Sequence, residues 1–473
     1  MNLVSRTSMC SSTDKSLQVP QALLAAAVFM TLSAAGWVEG QSRSETPAAK
    51  DAVASNAAAP KRFALRMPLM NATRTEATAT LLTTGPNAGK ILIAGGEGAV
   101  IHLDSGEFEP ILASTELYDP ASNKFMAGPN MRVARYEQTA TAIASGPNAG
   151  KIMVAGGKNS NRDFLASTEL YDPASNTFAG GPNLHGARCE DTATVIPSGP
   201  NAGKILIAGG DGYSSARDST ELYDPVSNTF APGPSMSGER MAHTATVIPS
   251  GPNAGKILIA AGDGYSFTSH GSSGILGSTE LYDPVSNTFV PGPYMNVARE
   301  SATATVIAAG PKVGEILIAG GFGASRKPLS STEIYDLETN RFTPGPSMNV
   351  GRREHTATAI VAGPNAGKIL IAGGEGAGEG TDSYLASTEL YNPPANTFAV
   401  GPSMNVARYE DTATVISSGP NAGMIVIAGG ANYAGVLASA ELYDPAANKF
   451  ALPPNTPEMK YELLPAALFQ EPP

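Results

Sequence analysis

Residues 199–234 read Gly-Pro-Asn-Ala-Gly-Lys-Ile-Leu-Ile-Ala-Gly-Gly-Asp-Gly-Tyr-Ser-Ser-Ala-Arg-Asp-Ser-Thr-Glu-Leu-Tyr-Asp-Pro-Val-Ser-Asn-Thr-Phe-Ala-Pro-Gly-Pro, and the fold is decided in them. Lys204 to Ala208 reads as a strand, apolar from Ile205 onward and closed by Gly209-Gly210. A continuous apolar run of that length suits a strand buried on both faces. Ser219 to Tyr223 is the next strand-like run, and a short one centres on Phe230. Just upstream, Thr192 to Ile196 supplies the first of the four. Gly-Pro-Asn-Ala-Gly between the first two is a hairpin loop, because Gly and Asn tolerate positive φ. Asp-Pro-Val-Ser-Asn between the last two is a tight turn.

The same unit recurs seven times between Arg62 and Pro454, with a period of about fifty residues that marks a modular array. Double glycines close the second strand at Gly95-Gly96, Gly156-Gly157, Gly209-Gly210, Gly320-Gly321, Gly373-Gly374 and Gly429-Gly430, and Ala261-Gly262 holds that place in unit four. Four antiparallel strands cannot bury both faces alone. Packing such sheets around an axis does so, and ring closure limits exposed ends. The expected fold is therefore all-β: a seven-bladed propeller of four-stranded antiparallel blades spanning residues 61–455.

A Gly-Gly pair, then a Tyr, then an aromatic residue some six positions on is the pattern by which this chain resembles the kelch-repeat β-propeller family. The tyrosines are Tyr118, Tyr171, Tyr223, Tyr282, Tyr335, Tyr391 and Tyr443. Phe replaces the family's usual Trp, as at Phe125, Phe178 and Phe230, and the one Trp of the chain is Trp37. Closure of the ring has two candidates. Arg62-Phe63-Ala64 and Lys449-Phe450-Ala451 both resemble fourth strands, and the N-terminal one is favoured to pair in or beside blade seven.

The chain carries 15% charged residues and a net charge of −11, with no basic stripe, which argues against nucleic acid. Ala22 to Val38 is an apolar stretch preceded by Arg6 and Lys15 and containing Ser33, Ala34 and Ala35. Residues 1–40 thus read as a secretory signal, with an uncleaved single-span anchor as the other reading. Only the anchor would involve a membrane. Residues 41–60 read as a disordered linker and 456–473 as a C-terminal tail of undetermined role. Cys10 precedes the apolar segment, so Cys189 is the one thiol of a processed chain and no intramolecular disulfide is expected. The expected localisation is secreted, periplasmic or cell-surface, and the expected state a monomer.

Seven arginines open the first strands: Arg74, Arg135, Arg188, Arg240, Arg299, Arg352 and Arg408. Five have a glutamate two residues on (Glu76, Glu137, Glu190, Glu354 and Glu410), which strand periodicity would place on the same face. Sevenfold repetition makes these arginines a structural ring, expected to pair between blades with strand-three glutamates such as Glu116 and Glu333; an anion-binding funnel is the other reading. The Gly-Pro-Asn-Ala-Gly-Lys loop is too short for a phosphate loop and precedes a strand, so it is a hairpin. His243 and His355 share a slot that holds Gln138, Asp191 or Asp411 elsewhere, which suggests a tolerated polar position. Metal-ligand spacing is missing from the sequence, and no metal or other cofactor is expected. Within the resembled family, galactose oxidase holds copper through two Tyr and two His, with one Tyr crosslinked to Cys. Cys189 occupies a repeated slot where Tyr136 and Tyr409 occur, and nothing else points to that chemistry.

The repeats differ most after the double glycines, in loops on the same face as the arginines. These loops carry the candidate ligand-binding residues His102, Arg162, Tyr213, Tyr265, Phe267, His270, Arg326, Asp382, Tyr384 and Tyr433. Aromatic rings flanked by polar groups on a rigid scaffold suit a carbohydrate or protein ligand. A secreted binding module is the leading reading, with no catalytic residues assigned. A glycan-active enzyme using loop carboxylates, or a purely structural surface module, stands as the alternative.

Overall fold

The computed structural model describes residues 68–103, 106–213, 216–264, 274–378 and 380–451. The signal, linker and tail assignments fall outside the described residues.

Seven four-stranded antiparallel sheets are each built from one contiguous stretch, with strands in sequence order from the inside out. Blade one uses Thr78–Leu81, Ile91–Ala94, Thr115–Asp119 and Lys124–Ala127; blade seven uses Thr412–Val415, Ile425–Ala428, Ala440–Asp444 and Lys449–Phe450. Each first strand touches those of the two neighbouring blades, and Thr78–Leu81 touches both Thr139–Ala142 and Thr412–Val415, so the ring is closed. The fold is a seven-bladed β-propeller. Among the described residues no helix is long and apolar enough to cross a membrane.

The second strands are apolar throughout because each blade is sandwiched. Ile91 and Ile93 pack with Val426, Ala428 and Leu442 of blade seven, whereas Leu92 and Ala94 pack with Ile152, Val154 and Tyr171 of blade two. Alternation still holds, but both faces are dry. Within a blade, Tyr118 lies opposite Phe125 with ring centroids 5.1 Å apart, and the other six blades repeat the pair. The intervening turn is held by Asp119, whose carboxylate accepts from the Ala121 N–H (2.9 Å), while Asn123 takes φ 54° and accepts from the Tyr118 hydroxyl (2.9 Å). Short polar side chains are the ones that adopt such turns at low cost.

The hairpin loops clip each blade to the next. Asn148 Nδ2 donates to the Tyr223 hydroxyl (3.2 Å) and to Asn228 (3.1 Å), and Asn365 does the same with Tyr443 and Asn448 (both 3.0 Å). In blade five the corresponding residue is Lys312, which turns to Glu315 (3.0 Å) instead. The Tyr391 hydroxyl of blade six bonds Asn396 of its own turn, and burial followed by the charge of Glu315 pushes its pKa up to about 12.

Both ends of the described chain meet at blade seven. Lys449–Phe450 pairs with Ala440–Asp444 as the outer strand of blade seven, while Arg62–Ala64 lies outside the described residues. Leu69 bridges Ser439, and the Met70 N–H donates to the Ala438 carbonyl (2.8 Å). Met131 makes the same bond to Ala113 (2.8 Å) between blades one and two. Residues 69–70 thus run beside blade seven through a contact that every joint uses.

The seven arginines are buried, and each guanidinium meets a strand-three glutamate at 3.0–3.3 Å. The pairs form within a blade and not between blades, which corrects the expected pairing. Arg299 Nη1 donates to the carbonyls of Gly320 (2.7 Å) and Ser331 (2.9 Å), and Nη2 to Glu333 (3.2 Å). Glu333 also accepts from the N–H groups of Asn296 (2.7 Å) and Val297 (2.9 Å). What crosses the joint is the arginine backbone: the second glycine of each blade donates its N–H to the next arginine's carbonyl at 2.8–2.9 Å, ending with Gly430 to Arg74.

Two stability outcomes follow. Arg299→Met strands the Glu333 carboxylate in the interior and costs about 3–5 kcal/mol; adding Glu333→Gln recovers part of that loss in thermal melts. Lys312→Asn restores the missing clip and raises stability by about 0.5–1.5 kcal/mol, because the part-exposed Lys312–Glu315 pair it removes contributes less than the clip. A lowered melting temperature for the asparagine variant would refute the clip.

Candidate functional site: the loop-face mouth

Between each arginine and its first strand the chain is not extended. Glu76, Glu137, Glu190, Ala242, Ser301, Glu354 and Glu410 all sit at φ between 49° and 53°. This corrects the expectation that arginine and glutamate share a strand face, since a left-handed residue breaks the alternation. It also lets these residues link from blade to blade around the axis. The Glu137 N–H donates to the Glu76 carbonyl (3.3 Å), Glu410 to Glu354 (3.2 Å), and Glu76 to Glu410 (3.4 Å).

Two positions per blade line the mouth above this girdle. The residue after each arginine is Thr75, Tyr136, Cys189, Met241, Glu300, Arg353 or Tyr409. It bridges antiparallel to the residue after the glycine pair: Glu97, Lys158, Asp211, Asp263, Phe322, Glu375 or Ala431. The backbone is the same in all seven blades, and the side chain differs almost every time.

On the blade-two side, Lys158 Nζ lies 3.3 Å from Glu137 and 4.9 Å from the Phe164 ring centre. Arg162 covers Tyr136 (5.9 Å), donates to its hydroxyl (3.3 Å) and pairs with Glu97 (3.4 Å) and Glu109. Burial, followed by the hydrogen bond and charge of Glu109, pushes the Glu97 carboxyl up to about 7, with Arg162 opposing. On the opposite side Arg353 covers Phe322 (4.7 Å) and pairs with Glu375 and with Glu354 (3.3 Å). Tyr384 and Tyr409 stack with centroids 4.9 Å apart and planes 13° apart. Glu300 is also pushed up to about 7, by burial and then by Asp263.

The candidates from the sequence scatter over this face. Arg162 and Tyr384 belong to the mouth as just described. Tyr213 is 66% exposed, its ring edge-on to Phe164 (5.1 Å) and its hydroxyl donating to the Phe164 carbonyl (3.3 Å). Tyr433 is 72% exposed on the tight Ala431–Val436 hairpin. Arg326 is exposed at a turn with φ 54°, His102 lies opposite Glu107 in a two-stranded hairpin, and Asp382 lies in the 3-10 turn Gly380–Ser383. Tyr265, Phe267 and His270 lie outside the described residues. Tyr409, Tyr136, Lys158, Arg353 and Phe322 were not singled out as binding candidates. Their signal was present nonetheless: they are the variable letters inside the constant frame, adjacent to the arginines and glycine pairs.

A kelch motif profile matches residues 201–237 and 314–349. Galactose oxidase of Gibberella zeae is 30% identical over 95 residues, which is 20% of this chain and 12% of that protein. Human kelch-like protein 33 is 28% identical over 152 residues, 32% of this chain and 25% of the relative. This chain is a kelch-repeat β-propeller. A solved fungal alcohol oxidase, described in complex with copper, shares the fold with a TM-score of 0.57 and 17% identity, over 81% of this chain and 77% of that one. Matched stretches span an eighth to a quarter of the curated relatives, and the likeness to the solved oxidase is one of fold alone.

Among the described residues the donors of this kelch propeller do not fit a copper site. Among the described residues no group of three His, Cys, Asp or Glu side chains is placed to hold a metal ion. His243 and His355 are buried between blades, with Nε2 3.0 Å from the hydroxyls of Thr192 and Thr303 respectively. His185 Nδ1 lies 2.9 Å from Glu221, and Cys189 is fully buried at the inner position of blade three.

Burial, with Arg240 or Arg352 nearby, holds the His243 and His355 pKa values down to about 3. Their unfolded value is about 6.5, so between those limits the native state binds fewer protons and stability falls as pH falls. Gln138 fills the same slot in blade two and donates to the Ala94 carbonyl (2.9 Å), so glutamine fits there. The expected result is that His355→Gln loses less melting temperature than wild type between pH 7 and pH 4.5. Parallel curves would disprove the buried neutral histidine.

Proposed function

We propose that this kelch propeller is an exported interaction module that docks a protein partner at the loop-face mouth. The observation that carries this reading is the mouth itself, where an invariant sevenfold frame holds two positions per blade, some buried and some open, whose side chains differ from blade to blade. A scaffold whose variation concentrates at one rim is built to recognise an asymmetric partner. Kelch-repeat propellers generally bind proteins, which supports the choice of partner class. Export rests on the apolar segment Ala22 to Val38 followed by small and polar residues. Carbohydrate is the second reading, carried by the exposed rings of Tyr213 and Tyr433, which suit stacking on sugars. The peripheral candidates His102, Arg326, Asp382, Tyr265, Phe267 and His270 would act at the rim of either ligand.

A glycan-active enzyme is less well supported. Glu97 and Glu109 share Arg162, and Glu109 lies close enough to raise the Glu97 pKa. Glycosidase carboxyls stand about 5–9.5 Å apart to admit a sugar or water between them. A pair bridged by a single arginine nitrogen leaves no such gap.

Selection from a random peptide library and a glycan array, both against the purified full chain, tests the reading. The expected outcome is peptide ligands that slow hydrogen exchange in residues 375–386 and 431–438 on the loop face. Exchange in hairpins such as 84–90 stays unchanged. Protection confined to the hairpin face, or no ligand from either library, would overturn the proposal; glycans alone would transfer it to carbohydrate.

A further inference from the structure

Every resident cation described above at the mouth is seated on an aromatic ring: Lys158 on Phe164, Arg162 on Tyr136 and Arg353 on Phe322. The Tyr384–Tyr409 pair is built from the same positions, Tyr409 after its arginine and Tyr384 bridging Glu375. Among the described residues, no lysine or arginine is seated over it. Both rings are only partly buried. Nearly parallel planes give the stack electron-rich faces of the kind on which a flat cation lies.

The surroundings are negative. After burial, Glu375, Glu354 and Glu410 raise the pKa of the Tyr384 phenol, and Glu410, Glu354 and Glu76 raise that of Tyr409. Arg353 is engaged by Glu375 and Glu354, and burial pushes the Glu354 carboxyl up to about 7. The aromatic pair therefore lies in a field that favours a positive ligand, and a planar cation gains both the stacking and the charge.

The geometry points to the Tyr384–Tyr409 stack as the seat for an arginine side chain of the partner protein, its guanidinium laid on the ring face beside the Glu375 and Glu410 carboxylates. This inference rests on the loop face being a protein-docking surface and adds what the docked segment must carry. Guanidinium is preferred over ammonium because it is flat, weakly hydrated and able to stack while donating in its own plane.

The test uses fluorescein-labelled peptides of alternating glycine and arginine, with lysine and citrulline counterparts. Binding to the full chain is read by fluorescence anisotropy at about 0.15 M salt, where exposed long-range attraction is largely screened. The arginine peptide is expected to bind about tenfold tighter than the citrulline peptide and several-fold tighter than the lysine peptide. Tyr409→Leu or Tyr384→Leu should erase the preference for arginine over lysine, and Tyr409→Phe should keep it, since phenylalanine retains the ring face. Melting temperatures of all three variants show whether each is folded. Equal affinity for arginine and lysine peptides, or a leucine variant that binds the arginine peptide as wild type does, overturns the inference. Library peptides that protect the loop face but lack arginine would sink this seat while leaving the docking surface standing. If no peptide protects that face, the docking surface itself falls.

Discussion

One residue does two jobs at every joint of this molecule. The arginine ahead of each first strand points its guanidinium into its own blade, where a glutamate and two carbonyls hold it. Its backbone carbonyl meanwhile receives the N–H of the preceding blade's second glycine. Burying a guanidinium costs several kcal/mol unless its charge and donors are met. Here the compensating groups lie within one blade, so the pair sets the geometry of that blade, and the backbone then passes it to the next. The glycine is required because its φ lies near +90° and a Cβ there would approach backbone oxygen; at Gly96 it would lie 2.4 Å from the Thr75 carbonyl.

Much of this was legible in the chain. The unbroken apolar run Ile205 to Ala208 announced a strand dry on both faces, and its neighbours across two joints show why. Repetition discounted the arginines as a single site, and all seven are buried against strand-three glutamates. What failed was local geometry. Two-residue spacing between Arg74 and Glu76 suggested one face, but the glutamate is left-handed, a conformation that sequence periodicity does not encode. The direction of pairing was equally hidden. Glu116 sits 42 residues from Arg74 along the chain, and only the sheet order shows that they share a blade. Binding candidates chosen for their chemistry, such as Tyr213 and Tyr433, lie on loop tips. The mouth residues Tyr409 and Arg353 were masked by adjacency to invariant positions.

The left-handed residue that spoiled the periodicity argument also builds the site. Turning the chain at Glu137 or Glu410 aims its N–H along the ring, toward the previous blade's carbonyl. The residue before the turn then pairs backbone to backbone with the residue after the glycine pair. Because backbone groups hold this rim, its side chains carry little structural duty and are free to differ. That separation explains how seven nearly identical repeats present an asymmetric surface.

The asymmetry is electrostatic as much as steric. Placing Glu97 and Glu300 at a half-buried rim raises both carboxyls to about 7, so desolvation works against their charge. Arg162 opposes that shift at Glu97, and the arginine is itself held by the Tyr136 ring and by Glu109. Cation, ring and carboxylate thus form a recurring triplet, repeated with Arg353, Phe322 and Glu375. At Tyr384 and Tyr409 the ring and carboxylate parts of the triplet are present, and the cation must come from elsewhere.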